Sequence, residues 1–312
     1  MQRRDGRLTK QDAGRGKEKR GDDRRRSRRE LGQNFLKDRR IARWIVAESG
    51  VGRDDRVVEL GAGGGMLTRQ LARVAGRVVA VEYDPYWALR LRQRFSDDGN
   101  VLVVHEDALR VQLPEEPFTV VANVPFCTTT SILHRLLDDP TSPPESVYLV
   151  VQKQVALKHA RPKPTTLKTL HWSPWYKFSA SLELPADAFH PKPEVAACLM
   201  VAAKRGPPLV EPGHRHLFLA LVRQAFEGRG NSVGKVLGPT FTRTQLRRLA
   251  KDNRFTLDLP PSMLTVRQWA SLFDFMVRMM VPNTGGPMQR CLQEEKTALI
   301  VTRRSAVSPT TV

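Results

Sequence analysis

The chain has 312 residues, 40% of them apolar, and carries 51 Lys and Arg against 32 Asp and Glu, a formal net charge of +19 at neutral pH. That length accommodates one full α/β domain and a smaller second one, while a negative mean hydropathy and the lack of any apolar run near the ~18 residues of a bilayer span exclude a membrane-crossing helix. So basic a surface attracts polyanions and gains from counterion release, which makes nucleic acid the expected partner; no lipidation signal or amphipathic membrane helix accompanies the charge.

Residues 1–29 hold thirteen Lys or Arg against five acids and almost no large apolar side chain. A segment of this kind cannot build a core and is expected to be a disordered basic arm. It reads either as a strand that follows phosphates or as a source of non-specific affinity and solubility. The arm lacks the apolar stretch of a secretory signal, and its acids make it a poor transit peptide, so a cytoplasmic location is expected. Three cysteines, Cys127, Cys198 and Cys291, form no CxxC pair and no His/Cys cluster at metal-ligand spacing, so no metal is expected.

From Ile41 the pattern becomes regular. Ile41, Trp44 and Ile45 have helical spacing, and a strand over Arg56–Leu60 ends in the loop Glu59-Leu60-Gly61-Ala62-Gly63-Gly64-Gly65. A helix over Met66–Val74, a strand over Val78–Val81, a helix over Pro85–Phe95 and a strand over Val101–Val104 follow. Then come a β-branched strand over Phe118–Ala122, a helix near Thr128–Leu137 and a strand over Ser146–Val151. This alternation predicts βαβ units in a parallel, doubly wound sheet, with ligand sites beyond the carboxyl ends of the strands. Tyr176–Leu184 and Ala196–Ala202 read as a closing antiparallel pair, and Lys204-Arg205-Gly206-Pro207-Pro208 as a linker. Helical periodicity at Leu217, Leu221, Val222 and Phe226, at Leu246 and Leu249, and at Trp269, Leu272, Phe273 and Met276 predicts a small helical domain. The expected organisation is an arm at 1–29, a catalytic domain at 30–203, a helical domain at 204–280 and a loose tail at 281–312.

The glycine loop allows close backbone approach to a ligand at the start of the next helix. It lacks both the full dinucleotide spacing G-x-G-x-x-G and the Lys-Ser/Thr of a phosphate loop, which lowers the odds of NAD or ATP. Glu82 ends the next strand, where a carboxylate can accept both hydrogen bonds of a ribose diol. Asp107 ends the strand after that and suits an exocyclic adenine amine. Three successive strand ends thus fit one adenosine-containing cofactor.

The fourth strand end carries Asn123-Val124-Pro125-Phe126. The N6 amine of adenine is a poor nucleophile because its lone pair is delocalised into the ring. Acceptors for its N–H groups, the Asn123 side-chain oxygen and a backbone carbonyl of the Val124-Pro125 turn, would localise that pair. Pro125 stiffens the turn and Phe126 offers a π-face. No prior deprotonation is needed, since the amine becomes acidic as it is methylated, and catalysis is expected to rest on positioning and electrostatics. An aromatic wall also suits a base taken out of its stack.

These motifs resemble the ribosomal RNA adenine N6 dimethyltransferase family. The likeness begins at Leu31-Gly32-Gln33-Asn34-Phe35-Leu36 and continues through Glu59–Gly65, Glu82, Asp107 and Asn123–Phe126. It resumes at Val151-Gln152-Lys153 and Phe189-His190-Pro191-Lys192-Pro193-Glu194-Val195, and spans about residues 28–277. The resemblance implies a Rossmann-like seven-stranded methyltransferase fold, S-adenosylmethionine as cofactor, and contacts to it from Asn34, Leu36, Gly61, Glu82, Asp107 and Asn123. It further implies Asn123, Pro125 and Phe126 as the catalytic turn, with Phe126 stacked on the target adenine, and an RNA-binding role for the helical domain. Trp172-Ser173-Pro174-Trp175, Ala225-Phe226-Glu227-Gly228-Arg229-Gly230 and Leu264-Thr265-Val266-Arg267-Gln268-Trp269 look more like the branch that acts on 23S ribosomal RNA. That branch confers macrolide, lincosamide and streptogramin B resistance. The housekeeping branch, which methylates small-subunit RNA, more often has an Arg-Arg-Lys-Thr run where this chain has Gly228–Ser232. A non-catalytic nucleic-acid-binding relative is the further alternative. Arg161-Pro162-Lys163-Pro164-Thr165-Thr166 departs from the Gly-rich loop of relatives, and one or two methyl groups both remain open. The second wall of the adenine pocket is Phe189 or an aromatic of Trp172–Phe178, unless these are core residues. A monomer is expected.

Overall fold

A computed structural model describes residues 34–163 and 166–280. The expected arm at 1–29 and tail at 281–312 lie outside the described residues. The chain divides into two compact units, one of residues 34–160 with Tyr176–Lys204, the other of Arg161–Trp175 with 205–280. The sequence reading has one passage between domains, after residue 203. The structure has two more, at 160/161 and 175/176, because Arg161–Trp175 groups with the second unit.

The first unit opens with the two-residue strand β1 (Phe35–Leu36) and helix α1 (Arg39–Glu48). Asp38 caps α1 by accepting from the Arg40 amide at 2.7 Å. Strand β2 (Arg56–Leu60), helix α2 (Met66–Val74), strand β3 (Arg77–Glu82), helix α3 (Pro85–Arg94) and strand β4 (Val101–His105) form two successive βαβ units. Asp84 caps α3 by accepting from the Tyr86 amide, and Pro85 occupies its first turn. After β5 (Phe118–Ala122) a single 3₁₀ turn, Phe126–Thr128, leads into α4 (Thr129–Leu137) and then β6 (Pro144–Gln152). Helix α5 (Lys153–Ala160), which the periodicity did not reveal, precedes β7 (Tyr176–Leu184), β8 (Phe189–His190) and β9 (Ala197–Lys204).

Seven strands form one sheet in the order β4-β3-β2-β5-β6-β9-β7. β2 is parallel to both β3 and β5, β3 to β4 and β5 to β6, whereas β9 runs antiparallel to both β6 and β7. The order reverses between β2 and β5, so the carboxyl ends of these neighbours face an open crevice. The inner strands β2, β3, β5, β6 and β9 read as apolar runs rich in Val, Leu and Ala because both faces are covered, whereas the edge strands β4 and β7 stay partly exposed. Val57, Val121, Val150 and Leu199 are buried with Ile45 and Leu71 of the covering helices. A separate two-stranded ladder pairs β1 with β8, Phe35 opposite His190 and Leu36 opposite Phe189, and buries Phe189 in that core.

The second unit holds α6 (Leu167–Leu170), α7 (Arg215–Glu227), α8 (Val233–Val236), α9 (Arg243–Asp252) and α10 (Val266–Met280). Trp175 meets Phe218 edge-on at 5.8 Å between ring centres, and Phe218 meets Phe273 at 5.5 Å. The Trp175 indole donates to the Val210 carbonyl at 2.7 Å, so this buried polar group is satisfied.

Gly65 ends the glycine loop at φ +75°, and a Cβ there would stand 2.8 Å from Leu91 Cδ2 and 3.0 Å from Phe95 Cε2. Gly65→Ala should therefore destabilise the protein by about 1 to 3 kcal/mol. Gly99, around whose virtual Cβ nothing lies within 4 Å, should tolerate Ala to within roughly 0.5 kcal/mol. Urea midpoints of the two variants check this; equal shifts would show that the loop geometry is not under constraint.

Candidate active site

A cavity of about 300 Å³ lies at the carboxyl ends of β2, β3, β4 and β5. Asn34, Leu36, Gly61, Glu82, Asp107, Asn123 and Pro125 all line it, so the structure brings together residues separated by 91 positions of sequence. Phe126 is the exception. It does not belong to the lining and packs half-buried against the hydrophobic core.

Each lining group is fixed by local bonds. The Glu82 carboxylate accepts from the Gly63 amide at 2.6 Å and from the Asp84 amide at 2.8 Å, which ties the glycine loop to the end of β3. Gly63, at φ +53°, lets that amide turn inward. Burial raises the Glu82 pKa above the usual carboxylate range, and the two amide bonds oppose the shift. Asp107 accepts from the Leu109 amide at 2.8 Å, capping the turn that follows β4.

Asn123 Nδ2 donates to the Asn34 carbonyl at 2.9 Å. This sets the amide orientation and leaves Oδ1 as the acceptor end of a cavity-lining side chain. In the same turn the Pro125 carbonyl accepts from both the amide and the hydroxyl of Thr128, at 2.9 and 2.8 Å. With that oxygen engaged, Val124 supplies the backbone carbonyl of the turn that can take a further donor. Among the expected second walls, Phe189 is buried in the first unit's core, Trp172, Trp175 and Tyr176 are buried as well, and Phe178 is half-buried.

Glu59 received no role from the sequence. It lines the cavity, is 1% exposed, and accepts a 2.5 Å hydrogen bond from the Thr68 hydroxyl of α2. Burial pushes its carboxyl up to about 8; the Thr68 bond opposes this and the nearby Glu82 adds to it. The available signal was an acid in an otherwise apolar strand. Tyr83 and Thr128 also line the cavity without having been singled out.

Burial keeps the two acids from ionising readily in the empty cavity, but a positive charge beside them would favour their ionised forms, so the floor suits a cationic ligand, while the loop amides and strand ends favour a nucleoside. These residues fit an adenosine bearing a positive charge. Because the Glu59 pKa is higher folded than unfolded, its contribution is fully present below about pH 4.5 and is lost as pH rises through about 8. Glu59→Gln should therefore melt like the parent at pH 5 and higher than the parent at pH 8.5, the gain bounded at roughly 4 to 5 kcal/mol. Melting curves at both pH values are the check, and an equal difference at each would rule out ionisation as the cause.

Residues 24–277 match the family described as ribosomal RNA adenine dimethylase. The chain is 35% identical over 210 residues to an rRNA adenine N-6-methyltransferase of Corynebacterium diphtheriae, covering 67% of this chain and 81% of that protein. It is 34% identical over 246 residues to the mycinamicin-resistance protein MyrB of Micromonospora griseorubida, covering 79% of this chain and 78% of that one. Its structure is similar to the crystal structure of 23S rRNA methyltransferase ErmE, with a TM-score of 0.71 and 27% identity, covering 78% of this chain and 100% of that chain. The sheet is thus the Rossmann-like methyltransferase sheet that the motifs led one to expect. With its match running from before β1 to the last turn of α10, the chain belongs to the ribosomal RNA adenine dimethylase family and is an rRNA adenine N6-methyltransferase.

Proposed function

We propose that the enzyme methylates N6 of one adenine in 23S ribosomal RNA from S-adenosylmethionine, acting as a cytoplasmic monomer, and so confers macrolide, lincosamide and streptogramin B resistance. The observation that carries the reading is the single cavity in which the acids at the strand ends and the oriented Asn123 amide meet. The likeness to ErmE and to the mycinamicin-resistance protein supports the choice of large-subunit RNA. In the second unit, α9 exposes Arg243, Arg247, Arg248 and Lys251, which supports a role for that unit in holding RNA.

Glu82 would accept from the ribose hydroxyls of the donor and Asp107 from its adenine amine, with Asn34, Leu36 and Gly61 walling the remainder. Bound there, S-adenosylmethionine supplies a methyl group activated by its sulfonium charge. Asn123 Oδ1 and the Val124 carbonyl would accept from the two N–H groups of the target amine, aligning its lone pair with that methyl. The proton lost on methylation leaves through one of these acceptors toward water, and no strong base is required. Phe126 anchors the turn from the core side; its stacking on the target adenine is proposed on the family resemblance.

Asn123→Ala should lower turnover by roughly 100-fold or more while changing donor affinity only a few-fold. Single-turnover rates and donor titration measure the two effects, and equal losses in both would count against the assignment. Mapping of N6-methyladenine and its dimethyl form in ribosomal RNA, from cells with and without the enzyme, tests the target. Methylation confined to small-subunit RNA would replace the 23S reading with the housekeeping one.

A further inference from the structure

Three helices of the first unit bring four arginines together beside the glycine loop. Arg39 opens α1, Arg69 and Arg73 stand one turn apart on α2, and Arg94 closes α3. Arg39, Arg73 and Arg94 are exposed and Arg69 is half-buried. The Arg94 guanidinium donates to the Gly64 carbonyl at 2.8 Å, so this end of the cluster lies against the cavity's own loop. The cations are near enough to act on one another. Repulsion from Arg39, then desolvation, then Arg73 and Arg94 pull the Arg69 guanidinium below its ordinary pKa.

None of the four forms an ion pair among the described residues. Of the acids in the flanking segments, Asp38 caps α1 and pairs with Arg40, Asp84 caps α3, Glu82 is buried and Asp97 accepts from the Ser96 hydroxyl; Asp98, four residues beyond Arg94, is exposed and pairs with none of the four. Like charges held together without a counter-charge disfavour the fold modestly and create a strong local field. An anionic partner removes that cost.

Aromatic side chains border the same face. Tyr83, 70% exposed, stands on the cavity rim directly after Glu82. Trp87 lies over Gly64 and meets the Phe35 ring at 5.7 Å, and the Arg90 guanidinium sits 5.4 Å from the Tyr86 ring centre. Guanidinium groups for phosphates interleaved with rings for bases are the two requirements of single-stranded nucleic-acid binding. An acidic peptide would use the charges and leave the rings without a role. A lipid surface would call for a continuous apolar face between them.

We propose that the face formed by Arg39, Arg69, Arg73 and Arg94, edged by Tyr83 and Tyr86, holds the phosphate backbone of the substrate strand adjoining the target adenine. The inference rests on the proposed function for the identity of that strand. Arg69 and Arg73 are spaced about 6 Å along α2, so that neighbouring guanidiniums engage neighbouring phosphates while the cavity takes the base. Fixing the strand on the donor side of the site restrains the adenine once it has left its stack.

The test compares the full chain with its Arg39→Gln/Arg69→Gln variant in titrations with protein-free 23S ribosomal RNA over a range of salt. The variant should bind about tenfold or more weakly near physiological salt, and its log–log salt slope should fall by about 1.4 to 1.8, the value for two lost phosphate contacts. An Arg53→Gln/Arg77→Gln variant removes the same charge at the amino ends of β2 and β3 and should leave the slope within about 0.5 of the parent. Donor affinity should not change in either; the melting midpoint should stay at the parent value in the Arg53/Arg77 variant and stay or rise slightly in the Arg39/Arg69 variant, where repulsion between the arginines is relieved. Arg73→Gln, at an exposed position, carries the same test at half the slope change should the double variant melt early. Equal slopes for the two double variants overturn the proposal. Unchanged RNA binding with lost adsorption to phosphatidylcholine–phosphatidylserine vesicles assigns the face to a membrane surface and overturns it as well. RNA binding that falls as stated, in a parent that places no methyl on 23S RNA, keeps the face as an RNA site and removes the proposed function instead.

Discussion

Because β2 and β5 are parallel neighbours from which the chain departs in opposite directions across the sheet, no connection closes the gap at their carboxyl ends. A Cβ on Gly61 would meet Val124 Cγ1 at 3.5 Å, so the glycine loop after β2 and the Asn-Val-Pro turn after β5 approach each other across that gap. In the proposed reaction, donor chemistry belongs to the first and acceptor chemistry to the second. Their approach within ordinary van der Waals distance makes one reaction centre out of two loops, and nothing in either loop alone requires it. The β1–β8 ladder adds the third side, since it carries Asn34 to where Asn123 Nδ2 can reach its carbonyl.

Electrostatics in this crevice runs against stability. Glu59 and Glu82 are both buried, which raises the tendency of each to stay protonated; Glu82 adds to the shift of Glu59 and Asp84 to that of Glu82, while hydrogen bonds from Thr68 to Glu59 and from the Gly63, Asp84 and Tyr83 amides to Glu82 compensate. A fold selected for stability alone would place apolar side chains there. Under the proposed reaction, a site that prefers a cationic donor over its neutral product gains from the same acids, because the charge lost on transfer is the charge they favour. Outside the crevice the sign inverts. Arginines on α1, α2 and α3 repel one another beside a cavity floored with carboxyls, an arrangement that, on the proposed function, suits a polyanion outside and a cation inside.

The sheet was legible because its strands alternate with helices and are buried on both faces, so their Val-rich runs leave little ambiguity of type. The acids at three strand ends and the turn at a fourth were legible for the same reason, since strand order fixes where ends can meet. Helix α5 was not, because Lys153–Ala160 lacks the apolar periodicity of a helix with one clear buried face, and among its residues only Ala156 is fully buried. The β1–β8 pairing was not, because two residues carry no period and the contact spans some 150 positions. Nor was the excursion of Arg161–Trp175 into the second unit. For the motif aromatics the sequence left a pocket wall and a core role both open. Phe189, Trp172 and Trp175 stand in motifs that suggest base contact, yet each is buried. A motif aromatic in a core and one in a pocket have the same spelling, and only their burial tells them apart.

Asn123–Phe126 illustrates how a short turn can be made rigid without strain. At one end the Asn123 amide is held by Asn34, in the middle the Pro125 carbonyl receives two bonds from Thr128, and at the other end Phe126 is packed on the core. Each restraint removes a motion that would blur the direction of the remaining acceptors, Asn123 Oδ1 and the Val124 carbonyl. An amine whose lone pair must be drawn out of a ring gains little from acceptors that have to reorganise as charge develops. It gains most from acceptors already fixed. On the proposed chemistry, the packing of Phe126 on the core contributes from outside the cavity, through the direction it imposes on the turn just before it.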